Sequence, residues 1–197
     1  MSDENINKLY PIFLKLENMH VLLVGGGNVA LEKLESILHN SPKTKITIVA
    51  PFLREGVLNF IKEYPLVEIK EKEFDPSDLD VAKIVICATD NPILHQLIKQ
   101  LANAKNILVN VADTPSLCDF YLGSIVQKGS LKIAISTNGM SPTFAKRLKE
   151  LLNESLPEDA EALMQNLSAI RKQLKGDFAE KVSKLNEITK GLIDPKK

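Results

Sequence analysis

The residues best suited to chemistry in this chain begin with a glycine-rich turn. Val21–Leu22–Leu23–Val24 runs straight into Gly25–Gly26–Gly27–Asn28–Val29–Ala30, an apolar run followed by the spacing G-x-G-x-x-A. Each position has a physical reason to be there if a dinucleotide binds. Gly25 makes the tight turn, Gly27 lets the backbone approach a pyrophosphate, and Ala30 is small enough for the next helix to pack on the sheet. That helix would offer unpaired N–H groups and the positive end of its dipole to the phosphates. Glycine-rich turns also arise for purely structural reasons. Here the turn follows a strand pattern, opens a helix pattern and sits inside a βαβ unit, which favours nucleotide binding.

Many such domains carry Asp or Glu about 20 residues further on, to hold a ribose 2′-hydroxyl. The corresponding run here is Ile48–Val49–Ala50–Pro51–Phe52–Leu53, with no acid. Ribose contacts are therefore expected from backbone or neighbouring groups. Arg54 is open to two readings, as a partner for a 2′-phosphate or as a solvated cation.

In a doubly wound sheet ligands bind at the carboxyl ends of the strands. Ala88–Thr89–Asp90–Asn91 ends one strand pattern, with Ala88 and Thr89 placed to touch a cofactor and Asp90 expected to cap the helix that Pro92 opens. Asn110–Val111–Ala112–Asp113 ends the next and puts the Asp113 carboxylate at the mouth of the cleft. An oxidation that delivers hydride to NAD⁺ also needs a proton accepted, and a carboxylate is one plausible general base. An Asx-turn into Thr114–Pro115 accounts for the same residue equally well. His20, His39 and His95 form no HxxxH or Cys/His set, and Cys87 and Cys118 lack the paired spacing of a zinc site or disulfide framework. No metal site is expected.

The elements that would position these groups alternate. Strand patterns run over His20–Val24, Lys45–Val49, Leu66–Lys70, Lys83–Ala88 and Ile107–Val111, with helix patterns over Asn28–Leu38, Arg54–Lys62 and Pro92–Ala102. Such alternation predicts an α/β fold of Rossmann type, a doubly wound, mostly parallel sheet with helices on both faces. After Asp113 the pattern changes. Strands are expected over Phe120–Val126 and Leu131–Ser136, a tight turn at Asn138–Gly139, and a helix capped by Ser141 with Pro142 at its first position. A further helix pattern, Glu158–Leu174, has an apolar stripe at Ala162, Leu163, Leu167 and Ile170. The expected division is a dinucleotide-binding domain over 1–113, a small α+β segment over 114–156 and C-terminal helices over 157–197. Those helices look too thin for a core of their own.

Composition excludes several classes. Lys plus Arg and Asp plus Glu balance at 25 each, so no global field points to nucleic acid or an acidic membrane surface. No apolar run approaches the roughly 18 residues of a membrane span, and the polar N-terminus lacks the order of a signal peptide. A cytoplasmic protein with two reduced thiols is expected.

Beyond a generic Rossmann domain, six blocks occur in order: Tyr10–Pro11–Ile12–Phe13–Leu14–Lys15–Leu16, the glycine turn, Val49–Ala50–Pro51, Ala88–Thr89–Asp90–Asn91, Asn110–Val111–Ala112–Asp113, and Ser136–Thr137–Asn138–Gly139–Met140–Ser141–Pro142. In this the chain resembles the precorrin-2 dehydrogenase/sirohydrochlorin ferrochelatase family over about residues 10 to 157. The resemblance implies NAD-dependent oxidation of precorrin-2 to sirohydrochlorin and, in some members, insertion of ferrous iron at the same site to give sirohaem. It implies NAD contacts from Asn28, Val29, Pro51 and Phe52, which accounts for the missing acid. It matches Asp113 to the family's catalytic aspartate and Ser124 to a serine near the tetrapyrrole site. It also implies a homodimer built by the region after the cofactor domain, where the Thr143–Leu156 pattern is amphipathic. Precorrin-2 is a polycarboxylate, so Lys146 or Arg147 are candidate counter-charges, or simply a solvated helix face. The sequence ends at Lys197 without the methyltransferase half fused to some members, so a separate enzyme is expected to supply precorrin-2.

Two rival functions share the glycine turn. A non-catalytic NAD-binding sensor would need neither Asp113 nor a tetrapyrrole pocket. An unrelated dehydrogenase of small substrates would need a further catalytic His, Lys or Tyr set, and none stands out after Asp113.

Overall fold

Side-chain alternation decides which face of each strand meets which helix. In the computed structural model, which describes residues 6–157 and 160–190, five parallel strands form one sheet in the order β3-β2-β1-β4-β5. They are β1 (His20–Val24), β2 (Lys45–Val49), β3 (Val67–Lys70), β4 (Ile84–Cys87) and β5 (Leu108–Val111). Val21, Leu23, Ile46, Ile48, Ile84 and Ile86 point to one face, where they pack with Leu34, Ile37 and Leu38 of α1 (Asn28–Asn40) and Val57 of α2 (Glu55–Ile61). Leu22, Val24, Val49, Val85, Cys87, Val109 and Val111 point to the other and pack with Ile98 and Ala102 of α3 (Pro92–Ala104). With both faces covered, the central strands must be apolar throughout, as β4 is. The expected α/β fold is borne out.

The strand order reverses between β1 and β4. Carboxyl ends diverge there, and such a switch point is where open α/β sheets bind ligands.

The chain divides into two compact units, residues 1–122 and 123–197. The second begins with an antiparallel hairpin, β6 (Ser124–Lys128) and β7 (Leu131–Ile135). Its α4 (Pro142–Ser155) opens with Ser141 accepting the Phe144 N–H, so the expected Ser–Pro start is present. Helices α5 (Ala160–Gln173) and α6 (Phe178–Thr189) follow. The Glu161 carboxylate of α5 accepts hydrogen bonds from the backbone N–H and hydroxyl of Ser130, tying that helix to the hairpin turn. Glu158, taken above as the start of this helix, lies outside the described residues.

One expected strand is corrected. β6 begins at Ser124, not Phe120. Residues 118 to 120 instead run back along β5, where Asp119 N–H bonds the Val109 carbonyl and the Asn110 amide bonds the Phe120 carbonyl. Phe120 and Leu122 are apolar because they pack on the α1–α2 side of the core.

A second polar device holds the edge of the sheet. The Asp78 carboxylate, its side chain 2% exposed, accepts from Lys72 at 2.6 Å, Lys70 at 3.3 Å and the Asp75 N–H at 2.9 Å. Burial pushes its pKa up, but the Lys72, Asp75 and Lys70 hydrogen bonds outweigh that and leave it below the ordinary carboxylate value. A carboxyl more acidic in the folded chain adds stability above its unfolded pKa of about 3.9 and loses it as pH falls through the folded value. Because both lysines are substantially exposed, Asp78→Asn should cost only about 1–2 kcal/mol at neutral pH. The deficit against the parent should shrink in urea unfolding at about pH 3. A deficit independent of pH would assign the cost to packing.

Candidate active site

The three glycines of the turn are needed for different reasons. Gly25 has φ +125°, and an added Cβ would collide with the Ala88 carbonyl. A Cβ on Gly26 would collide with the Phe52 carbonyl and lie 3.0 Å from Leu53 Cα. The Arg54 N–H clamps the same spot, donating to the Gly26 carbonyl at 2.9 Å. Both positions are thus closed by the protein's own backbone. Gly27 is the opposite case, since a Cβ there meets nothing within 4 Å. Its side faces open space, the room a pyrophosphate would fill.

Gly27 also ends the turn as the N-cap of α1, with extended backbone and no capping side chain. The first helical bond runs from the Leu31 N–H to the Gly27 carbonyl. The N–H groups of Asn28, Val29 and Ala30 ahead of it are left for a ligand or solvent. No acid stands in this first helical turn, so the helix itself sets no negative charge against an anion there. Ala30 is fully buried against the sheet, and Val29 leans on the same core, so Val29 offers a ligand chiefly its backbone. These features fit a dinucleotide phosphate.

Beside the turn lies a cleft of ≈ 420 Å³ lined by Gly27, Asn28, Phe52, Arg54, Glu55 and Gly56, among others. Phe52 is 72% exposed at its edge, next to exposed Pro51. The Arg54 guanidinium donates to Asn28 Oδ1 at 3.1 Å, so the segment after β2 is tied to the start of α1. Sequence reasoning singled out Arg54 but missed this link and the place of Glu55 on the cleft. An Asn at the first helical position opposite an Arg before the next helix was the only available signal.

On the other flank, the Ala88 N–H bonds the Val24 carbonyl and brings the end of β4 against Gly25. The Thr89 hydroxyl lies 2.8 Å from His95 Nε2 and accepts the Asn91 N–H at 3.3 Å. His95 is 4% exposed, and burial holds its pKa below the usual histidine value. With its oxygen turned to α3, Thr89 presents its methyl group to the glycine turn. The expected cap is corrected: Asn91, not exposed Asp90, accepts the Leu94 N–H. Pro92 occupies the first helical position, which leaves the cap to the residue immediately before it.

Asp113 follows β5 in a four-residue turn closed by the Thr114 N–H on the Val111 carbonyl at 3.4 Å. Its φ is +56°, a left-handed conformation that disfavours non-glycine residues, Asp and Asn least. The Ala112 N–H bonds the Cys87 carbonyl and keeps the turn at the carboxyl end of the sheet. The side chain is exposed and makes no hydrogen bond among the described residues, so no Asx-turn forms. This is a free carboxylate on a constrained backbone.

Ser124 opens β6 in the second unit, half-buried and paired with Ile135. Lys146 and Arg147 lie exposed on α4, and Arg147 pairs with Glu150 at 2.7 Å. Among the described residues no group of three His, Cys, Asp or Glu is placed to hold a metal. Burial pushes the Cys87 thiol up to about 12, which makes it inert. No described helix is long and apolar enough to cross a membrane.

Fold and site together define a Rossmann-type dinucleotide-binding protein with a carboxylate at the sheet's carboxyl edge. An NAD(P)-binding family model matches residues 12–124 and a sirohaem biosynthesis protein central model matches 128–155; the chain belongs to this NAD(P)-binding family. It is 38% identical over 168 residues to a siroheme synthase of Pseudoalteromonas translucida, covering 85% of this chain and 35% of the relative. With a siroheme synthase of Vesicomyosocius okutanii it shares 32% identity over 189 residues, 94% of this chain and 40% of the relative. The chain thus spans well under half the length of these relatives. Among solved structures it matches SirC, precorrin-2 dehydrogenase, with a TM-score of 0.72 and 27% identity, covering 94% of this chain and 90% of that one. The family resemblance read from the motifs is borne out.

The contrast among the glycines is testable. Gly26→Ala should lose about 2 kcal/mol or more of stability, because backbone must move. Gly27→Ala should keep the parent melting temperature yet weaken NAD⁺ binding about tenfold or more by calorimetry. Unchanged affinity in Gly27→Ala would show that no phosphate passes there. Thr89→Val should hold NAD⁺ within about threefold of the parent, as its hydroxyl faces away from the turn; a larger loss would put that hydroxyl on the cofactor.

Proposed function

We propose that this chain is an NAD-dependent precorrin-2 dehydrogenase that forms sirohydrochlorin. The observation that carries the reading is the likeness to SirC, which runs through both units and leaves little of either chain unmatched. The glycine turn and the exposed carboxylate supply the two functions such an oxidation needs. Two hydrogens leave the substrate, one as hydride and one as a proton. Bound NAD⁺ supplies the hydride acceptor.

The chain's own groups do the rest. The turn at Gly25 and Gly27 and the N–H groups of Asn28 and Val29 bind the pyrophosphate. Pro51 and Phe52 flank the adenosine half, and Ala88 and the Thr89 methyl line the opposite wall. Asp113 takes the proton. Its carboxylate has no protein partner among the described residues to compete for it, and its turn limits how far it can swing. Ser124 contacts the tetrapyrrole, and Lys146 or Arg147 answers its carboxylates.

Homodimer formation through the region after the cofactor domain belongs to the same reading. Support comes from the second unit, where among the described residues the buried apolar cluster is Val126, Ile135 and Ala145 while Phe144, Leu151 and Phe178 are exposed. Such a distribution suits a surface completed by another subunit. The functional division in this reading is residues 1–113 for NAD, 114–156 for substrate and dimer, with 157–197 a C-terminal helical segment. Free Cys87 and Cys118 suit a cytoplasmic setting.

The test is anaerobic incubation with precorrin-2 and NAD⁺, following NADH and sirohydrochlorin absorbance, then addition of ferrous ion. NAD-dependent sirohydrochlorin formation is expected. NAD⁺ binding without oxidation would favour the sensor function. Metal insertion faster than in protein-free solution would add chelatase activity, with the iron passing through as substrate.

Asp113→Asn isolates the charge, since Asn tolerates the left-handed backbone that Ala would strain. It should fold with the parent melting temperature, bind NAD⁺ normally and lose about a hundredfold or more in turnover. Near-normal turnover would remove Asp113 as the base.

A further inference from the structure

Among the described residues β5 is the last strand on its side of the sheet, so its outward N–H and C=O groups have no strand there to pair with. The segment after the Asp113 turn fills that role with side chains and backbone groups together. The Val109 N–H donates to the Asp119 carboxylate at 2.9 Å, and the Asp119 N–H returns to the Val109 carbonyl at 2.8 Å. Asp119 is itself held by Lys99 of α3. The Asn110 amide, buried, donates to the Phe120 carbonyl at 2.8 Å. Nearest the turn, Cys118 Sγ accepts the Val111 N–H at 3.2 Å. Its one proton has two acceptors in reach, the Val111 carbonyl at 3.2 Å and the Thr114 carbonyl at 3.5 Å.

Val111 and Thr114 are the first and last residues of the turn whose third is Asp113. That turn has one long backbone bond of its own and a left-handed residue inside it, so left alone it would relax. The thiol bridges both its ends.

We propose that the Asn110–Cys118–Asp119 latch is a positioning device for the Asp113 carboxylate, with Cys118 the member that fixes the turn. The inference rests on Asp113 being the base. Cys118 touches neither cofactor nor substrate in this account; it acts through Asp113. A hydroxyl makes shorter bonds than a thiol, so at the sulfur's distances it holds the turn less well, and a methyl makes no such bond. Displacing a reacting group by about 1 Å costs up to about a hundredfold in rate.

The experiment compares Cys118→Ala in the full chain with and without Asp113→Asn, reading kcat, KM for NAD⁺ and melting temperature. Cys118→Ala should lower kcat about tenfold with KM for NAD⁺ unchanged. Cys118→Ser should fall between it and the parent. In the Asp113→Asn background the same change should have almost no further effect, because its target is already gone. If Cys118→Ala folds poorly, Cys118→Ser and Asp119→Asn carry the same comparison. Turnover within about twofold of the parent, or an equal loss in both backgrounds, would overturn the latch while Asp113 stays the base. Should Asp113→Asn itself turn over normally, the base assignment fails and the latch falls with it.

Discussion

The backbone carbonyls of Ala88 and Phe52 close on the turn after β1 so tightly that neither Gly25 nor Gly26 has room for a single carbon. Much of the site depends on that approach. It brings the ends of β1 and β4 together at the point where the strand order reverses, and it folds the segment after β2 over the start of α1. Once both sides are shut, the remaining open direction is outward from Gly27, along the unpaired N–H groups of the first helical turn. The site is therefore what the packing of three chain segments leaves over, and open space beside a helix N-terminus suits an anionic group.

The rest of the first unit keeps this geometry rigid. Two apolar layers bury the sheet on both faces, so the strand ends cannot splay without exposing core side chains, each worth about 2 kcal/mol. At the rim, polar side chains do what the layers cannot. His95 orients Thr89, Asn91 caps α3, and Asp119, Cys118 and Asn110 hold the segment beyond the last strand. Asp113 sits inside that frame with its carboxylate free. A carboxylate so placed is open to solvent and to whatever approaches the carboxyl edge of the sheet.

Much of this was legible in the sequence. The apolar character of β1, β2 and β4 and the glycine spacing gave the fold class, because burial on both faces leaves a strand little alternative. The segment from Phe120 misled, since its apolar residues pack on a core face while its backbone pairs through side chains, a distinction invisible to hydrophobic pattern. Asp90 was the expected cap, yet Asn91 is as good a capping residue chemically, and the register set by Pro92 gives it the position. The Thr89–His95 and Arg54–Asn28 contacts join residues whose proximity exists only once the sheet is folded. So does the left-handed backbone at Asp113, which residue type permits but does not announce.

The most direct measurement is a crystal structure of the full chain with NAD⁺ bound. The pyrophosphate should lie across Gly27 and the N–H groups of Asn28 to Ala30, with Phe52 near the adenosine. The nicotinamide should then lie over Gly25 and Ala88, on the side of the sheet edge where Asp113 emerges. A cofactor bound elsewhere, or one whose nicotinamide points away from the Asp113 turn, would contradict it.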